Sequence, residues 1–254
     1  MAVSAKPAQP IVIFGGFLSA DRIYFALRES LAALTGQHVS VVQTRSLDWL
    51  PSVSQVGWAV LLRKLDRAVR AAAQISTTGK VTLVGHSAGG VLARLYLSPR
   101  SFYGESFRGF QRVSHLITLG SPHHNRGGLT RGGYMAQWIE QHYPGAAFSP
   151  FVSYTAVAGQ SLRGEARGTP RERMAYRTYR SISGHGNEWG DGLVPASAAL
   201  LRGAQHIPLT GVAHYSVFGD NWYGSAAIIP LWWQASQEQD EHAASSHPIG
   251  SAAA

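Results

Sequence analysis

The sequence predicts a single α/β domain built on a mainly parallel central sheet with helices on both faces. A continuous apolar run over residues 11–14 and a mainly apolar run over 81–84 are typical of strands that are buried on both faces of a sheet. They alternate with segments of helical spacing, of which residues 58–73 are the clearest. Gly-rich turns follow three of the predicted strands, at the edge where ligands bind in parallel sheets.

The other helices are predicted from apolar residues three and four positions apart and from the residues that end a helix. A helix over 21–34 ends before Gly36, because glycine commonly follows the last residue of a helix. A second helix, over 91–97, ends before Pro99. A terminal helix is expected over 222–238.

The remaining strands are short runs in which apolar residues predominate, bounded by turn residues. They are expected over residues 39–42, 113–119, 154–158 and 205–209. Because strands and helices alternate along most of the chain, the pattern predicts βαβ units and a parallel sheet.

The chain is expected to divide into a loose N-terminal segment over 1–10, one domain over 11–240 and a disordered tail over 241–254. Two segments inside the domain fit neither a strand nor a compact turn. Residues 122–150 are interpreted as a cap or lid, and residues 160–190 as a basic loop insertion.

Composition excludes several classes of protein. Hydrophobic residues make up 45% of the chain and charged residues only 14%, which excludes a disordered chain. The formal net charge is +8, but the arginines are scattered, and the one dense run, over 163–180, is interpreted as a solvated surface with an anion-facing patch as the alternative. No nucleic-acid-binding motif accompanies it, so no nucleic-acid partner is predicted.

The chain contains no cysteine, so disulfides, thiolate metal sites and a cysteine nucleophile are excluded. No signal peptide and no apolar run of transmembrane length are recognised. We therefore expect a cytoplasmic protein, with a plastid or another compartment left open and the oligomeric state undetermined.

A serine nucleophile is predicted at Ser87, in the pattern Gly85-x-Ser87-x-Gly89. A strand over 81–84 precedes the pattern and a helix follows it, which is the context that a nucleophile turn requires. The glycines leave room in a sharp turn where a Cβ would clash. The alternative is an ordinary strand–helix turn; a phosphate-binding loop would need a lysine that is absent here.

The base and the acid are predicted from their order along the chain. Serine needs an adjacent base, and in this fold class the serine is followed by an acid and then by a histidine. Asp191 lies between two glycines in a tight loop, and His214 lies between the last predicted strand and the terminal helix. The alternatives are an Asx turn at Asp191 and a structural histidine at His214.

The other histidines do not form a recognised metal site. His115, His123 and His124 invite that interpretation, but no carboxylate ligand lies near them at a recognised spacing. No metal and no cofactor are therefore predicted.

An oxyanion hole is expected next to the serine, since acyl transfer develops negative charge on a carbonyl oxygen. One donor is the backbone N–H of Ala88, the residue after the nucleophile. The second is assigned to Phe17, with Gly16 as the fallback, in the loop after the first strand.

Substrate contacts are predicted for His86, beside the nucleophile, and for Leu129, Tyr134 and Trp138 in the cap segment. The apolar content of that segment fits a cover over a hydrophobic acyl site. The alternative for the apolar cap residues is packing in the core of the domain, and for His86 it is local packing.

Four motifs together resemble α/β-hydrolase fold lipases and esterases, over roughly residues 10–225. They are GHSAGG at 85–90, GSPH at 120–123, GDGLVP at 190–195 and GVAH at 211–214. The resemblance is greatest to GPI inositol-deacylase-like proteins and bacterial triacylglycerol lipases. One departure is that bacterial lipases usually carry His-Gly at the oxyanion loop, where this chain has Phe-Gly-Gly.

The resemblance implies hydrolysis of carboxylic esters by an acyl-enzyme route, with a small-molecule or lipid ester as substrate and transient contact with a lipid surface. Two alternatives remain. An acyltransferase would use the same three residues, and a non-catalytic hydrolase fold would only bind a ligand.

Overall fold

A computed structural model describes residues 9–127 and 132–245, with side chains as far as Glu238. Six parallel strands form the central sheet, and two short antiparallel strands form a separate ribbon. The strands are β1 (Ile11–Phe14), β2 (Val39–Val41), β3 (Val81–His86), β4 (Val113–Leu119), β5 (Ser153–Gln160), β6 (Leu162–Arg163), β7 (Trp189–Gly190) and β8 (Gln205–Thr210). The order in the central sheet is β2-β1-β3-β4-β5-β8, so the predicted parallel sheet is confirmed.

Helices cover both faces of this sheet. They are α1 (Phe25–Thr35), α2 (Gln55–Gln74), α3 (Ala88–Tyr96), α4 (Gly133–His142), α5 (Pro170–Ser183), α6 (Ala196–Ala199) and α7 (Ile229–Ser245). Alternate residues of β1 enter different cores: Val12 and Phe14 pack with α2, α3 and α4, whereas Ile11 and Ile13 pack with α1 and α7. Burial on both faces explains why β1 is wholly apolar.

All four predicted helices differ from their predicted bounds at the ends, and two of them begin well after their predicted start. The first α-helix begins at Phe25, after a 3-10 turn over Asp21–Tyr24. The terminal helix begins at Ile229 and continues to Ser245, so the tail predicted to be disordered from residue 241 is helical over 241–245. Residues 246–254, like residues 1–8, lie outside the described part of the chain.

The segment 160–190 differs from the predicted loop insertion, because it contains α5. The Thr169 hydroxyl accepts a hydrogen bond from the Glu172 backbone, and the Glu172 carboxylate accepts one from the Thr169 backbone, so a capping box starts the helix. Tyr179 and Ile182 bury one face of it. The arginines of this run therefore lie on a helix that is anchored to the domain.

A cap over residues 122–150 is not shown. Helix α4 of this segment buries Met135, Ala136 and Ile139 against the core that contains Trp58. The sequence predicts that these residues belong to a cap over an acyl site. Their burial instead makes α4 part of the domain core. Within the described residues, no helix combines the length and apolar character needed to cross a membrane.

Candidate active site

Ser87 occupies a strained turn between β3 and α3. Its φ of 55° and ψ of −130° are unusual for a residue with a side chain. The flanking glycines allow this turn: a Cβ on Gly85 would lie 2.4 Å from Gly90 Cα, and one on Gly89 would lie 2.2 Å from the Gly15 carbonyl oxygen. The turn thus has the shape that presents a serine hydroxyl beyond the end of a strand.

Four donors converge on the buried carboxylate of Asp191. Its Oδ1 accepts the backbone N–H groups of Leu193 and Val194, at 3.0 and 2.7 Å. Its Oδ2 accepts His214 Nδ1 at 2.8 Å and the hydroxyl of Tyr223 at 3.0 Å. Such an arrangement suits an acceptor that carries no proton of its own.

The ring of His214 is oriented by Asp191 and leaves one nitrogen unbonded. Its Nδ1 carries the proton that Asp191 accepts, and its backbone N–H donates to the Asp191 carbonyl at 2.8 Å. Its Nε2 is buried and has no hydrogen-bond partner among the described residues, Ser87 included. The ring centroid lies 4.7 Å from that of His86, the residue before Ser87. Hydrogen bonds between catalytic groups are often long without substrate.

The loop after β1 approaches Ser87 closely. A Cβ on Gly16 would lie 2.6 Å from Ser87 Cβ, so only glycine allows this approach. The Gly16 N–H donates to the Tyr24 hydroxyl at 2.9 Å, which speaks against the fallback assignment of Gly16 to the oxyanion hole. Across the described residues, the N–H groups of Phe17 and Ala88 have no acceptor.

Two tyrosines take part in the site without any signal in the sequence. Tyr223 bonds to Asp191, and Tyr24 bonds to Gly16 and to His86. Burial, followed by the charge of Asp191, raises the pKa of Tyr223 well above its usual value, so the hydroxyl keeps its proton. Neither tyrosine belongs to a motif, and only the fold brings them to Asp191, Gly16 and His86.

His86 is enclosed by protein, which differs from the predicted contact with substrate. Only 1% of its surface is exposed. Its Nδ1 lies 2.9 Å from the Tyr24 hydroxyl and its Nε2 lies 3.1 Å from the His214 carbonyl oxygen. Burial, and then the neighbouring His214, lower the pKa of His86 well below its usual value. A neutral ring with both nitrogens engaged has no polar atom to offer a substrate.

The cap residues with predicted substrate contacts belong to an aromatic cluster on α2 and α4. The ring of Tyr134 lies 5.3 Å from that of Trp58, and its hydroxyl accepts a hydrogen bond from Gln55. Trp138 stacks on His142 at 3.9 Å. Leu129 lies outside the described residues, so its contact with substrate stays a prediction.

No group of three metal-ligating side chains occurs in the described ranges. Two of the three histidines that invite a metal interpretation contact threonine hydroxyls through Nε2. His115 Nε2 lies 2.9 Å from the Thr155 hydroxyl, and His123 Nε2 lies 3.1 Å from the Thr118 hydroxyl.

Comparison with known proteins identifies a matching family model. A family model described as a PGAP1-like alpha/beta domain matches residues 60–131, which include β3, Ser87, α3 and β4. No curated protein sequence matches the chain.

Solved structures extend the likeness to nearly the whole chain. The mature lipase BlEst2 of Bacillus licheniformis aligns with a TM-score of 0.61 at 17% identity, covering 93% of this chain and 94% of that one. EstA from Clostridium botulinum aligns with a TM-score of 0.52 at 12% identity, covering 92% of this chain and 88% of that one. The chain is therefore an α/β-hydrolase fold protein, similar in architecture to lipases and esterases.

Proposed function

We propose that the protein is a serine hydrolase that cleaves carboxylic esters, with Ser87 as nucleophile, His214 as base and Asp191 as the group that orients the base. One observation carries this proposal. The Asp191 carboxylate fixes His214 Nδ1 at 2.8 Å, while the opposite ring nitrogen is buried and unbonded near the strained serine turn. This is the arrangement that activates a hydroxyl.

The reaction proceeds in two halves. His214 Nε2 takes the proton of Ser87 Oγ while Oγ bonds to the ester carbonyl carbon, and the carbonyl electron pair moves to the oxygen. The N–H groups of Phe17 and Ala88 stabilise that oxyanion, aided by the N-terminal end of α3. When the intermediate collapses, the alcohol leaves with the proton from His214. Water then repeats these steps on the acyl group and releases the acid and free serine.

The substrate is a small-molecule or lipid ester. An exposed apolar surface supports contact with lipid: Leu47, Leu50, Val53 and Val56, on the 3-10 helix Ser46–Val53 and at the start of α2, each expose 53 to 71% of their surface. We call these four residues the apolar shelf.

The apolar shelf adjoins the proposed oxyanion loop. The ring of Phe17 packs edge-on against Trp49, with centroids 6.4 Å apart, and Trp49 lies in the same 3-10 helix as three residues of the shelf. Residues 49–62 also contain no charged side chain. An exposed apolar surface of this kind is typical of a site that binds a partner or a membrane.

The test combines labelling with substrate profiling. A fluorophosphonate should label Ser87, as located by peptide mapping, and p-nitrophenyl esters of increasing chain length should be hydrolysed. Ser87→Ala should abolish both activities, whereas Ser98→Ala, which removes another buried hydroxyl that bonds to Tyr143 beyond the end of α3, should retain them. Active protein labelled elsewhere than Ser87 would refute the nucleophile.

Product analysis separates the alternatives that the same site allows. Added alcohol that becomes the main acyl acceptor in place of water would indicate an acyltransferase. Absence of both labelling and turnover, with ligand binding retained, would indicate a hydrolase fold that only binds.

A further inference from the structure

We propose that Tyr24 and His86 are positioning residues that connect the proposed oxyanion loop to the segment carrying the base. A continuous series of hydrogen bonds runs from Gly16 through these two side chains to the His214 backbone. This inference rests on the proposed function, because it assigns a role within that same site. Neither residue touches the reacting atoms, and each acts through the groups that do.

The direction of the bonds at His86 follows from its partners. A carbonyl oxygen only accepts, so the contact of 3.1 Å between His86 Nε2 and the His214 carbonyl places the hydrogen on Nε2. A neutral imidazole has one N–H, and Nδ1 is therefore an acceptor. Burial holds the ring in its neutral form. The Tyr24 hydroxyl, 2.9 Å away, is then the donor to Nδ1.

Tyr24 and Ser19 together hold both backbone groups of Gly16. The oxygen of the Tyr24 hydroxyl accepts the Gly16 N–H at 2.9 Å, and the Ser19 hydroxyl donates to the Gly16 carbonyl at 2.6 Å. Tyr24 has one hydrogen to give, and His86 Nδ1 is nearer than the Ser19 hydroxyl, at 2.9 against 3.2 Å. Both Tyr24 and Ser19 are buried, so water does not compete for these bonds.

This series of bonds joins the three parts that the reaction needs. Gly16 precedes Phe17, whose N–H is the proposed oxyanion donor. His86 precedes the nucleophile Ser87, and the His214 carbonyl belongs to the base itself. Small displacements of such groups reduce rates strongly, so an anchor between them is expected to act on the transition state more than on substrate binding.

Four variants separate positioning from general stability. Tyr24→Phe removes the hydroxyl and keeps the ring. His86→Gln offers one acceptor and one donor as the neutral ring does, whereas His86→Leu offers neither. Tyr96→Phe is the matched control, since the buried Tyr96 hydroxyl bonds to Asp66 away from the site.

The readouts are kcat and KM for a p-nitrophenyl ester, the inhibition constant of a trifluoromethyl ketone, and the melting temperature. The ketone forms a tetrahedral adduct whose oxygen occupies the oxyanion hole. We expect Tyr24→Phe to lower kcat roughly 10- to 100-fold and to raise the inhibition constant of the ketone by a similar factor. KM should stay near that of Tyr96→Phe, while the melting temperature should fall, because the buried Gly16 N–H loses its acceptor. His86→Gln should retain more activity than His86→Leu.

The outcomes distinguish this inference from the proposed function. If the wild-type protein labels and hydrolyses esters but Tyr24→Phe behaves as Tyr96→Phe does, only the positioning role is refuted. An equal loss of activity in His86→Gln and His86→Leu refutes the positioning role as well. If nitrogen NMR places the imidazole hydrogen of His86 on Nδ1, the bond directions are wrong whatever the activity. A wild-type protein without labelling or turnover refutes the proposed function, and the positioning role with it.

Discussion

The hydroxyl of Tyr223 donates to Asp191 Oδ2 over 3.0 Å, and the same oxygen accepts the Nδ1 proton of His214 over 2.8 Å. Tyr223 is itself fixed, because its hydroxyl oxygen accepts the Gly159 N–H at 2.7 Å. The backbone of β5 thus sets the position of the carboxylate through one buried tyrosine. A carboxylate that is held from several sides orients its imidazole more firmly than one held by the histidine alone.

Tyr223→Phe should therefore lower kcat/KM roughly 10- to 100-fold, because a less firmly held carboxylate orients the imidazole less well and small misplacements of catalytic groups reduce rates strongly. The Gly159 N–H also loses its acceptor, so the melting temperature should fall. Ester hydrolysis and thermal unfolding measure the two effects, with Tyr96→Phe as the control. A variant with unchanged kcat/KM would show that the carboxylate is oriented without Tyr223.

Asp191→Asn should lower kcat roughly 10³- to 10⁴-fold, the range typical of a triad with a misdirected imidazole. An amide that keeps its oxygen toward the N–H groups of Leu193 and Val194 turns its NH₂ toward His214 Nδ1. The ring would then carry its hydrogen on Nε2 and could not accept the serine proton. Steady-state kinetics above pH 7 measure the loss. More than a tenth of the wild-type rate would contradict the role of Asp191.

The sequence predicts those parts of the fold and site that follow a local rule. Runs in which apolar residues predominate identify the sheet, because β3 and β4 are covered on both faces. The glycines beside Ser87 predict a nucleophile turn, and the order of residues along the chain predicts Asp191 as the acid and His214 as the base. The contacts of Tyr24 with His86 and of Tyr223 with Asp191 join residues 62 and 32 positions apart, so no local rule could predict them.

Two segments were missed for different reasons. Helix α5 does carry local signals, namely the capping box at Thr169 and Glu172 and the helical spacing of its buried residues, but the many arginines suggested a solvated loop. Helix α4 has an apolar face that suits either a cap or a core. Its position against α3 and the Trp58 cluster is a tertiary property, which periodicity alone does not determine.

Ile139→Ala tests whether α4 belongs to the core. Ile139 is fully buried, so its truncation should lower the free energy of unfolding by about 3 kcal/mol, as for other buried aliphatic residues. Ile23→Ala is the control, because Ile23 is exposed and should change stability by less than about 0.5 kcal/mol. Urea unfolding measures both. Similarly small losses of unfolding free energy in the two variants would mean that α4 is a loosely attached cover.

Stability should fall as the pH falls below about 6.5, where histidines of the unfolded chain take up protons. Burial lowers the folded-state pKa of His86 and of His123 well below that value, and Arg94 adds to the effect at His123. Below this pH the unfolded state binds more protons than the folded state does. The free energy of unfolding therefore falls by up to about 1.4 kcal/mol per pH unit for each of the two histidines.

Urea titrations between pH 8 and pH 5, at fixed ionic strength, measure this dependence. His123→Asn removes one of the two buried rings, so it should make the loss of stability with acid less steep. A free energy of unfolding that is constant or rises on acidification would contradict the neutral state of both residues.

The apolar shelf should determine whether the protein binds and hydrolyses aggregated substrate. Replacing Leu50 and Val53 together by serine removes exposed aliphatic surface next to the proposed oxyanion loop without touching the core. Leu231→Ser is the matched control, since Leu231 is equally exposed but lies on α7. The double variant should lose hydrolysis of an emulsified long-chain ester and co-sedimentation with lipid vesicles, yet keep hydrolysis of a soluble short-chain ester. If both variants behave alike on the emulsion, the shelf has no part in contact with lipid, because an effect shared with Leu231 reflects only general loss of apolar surface.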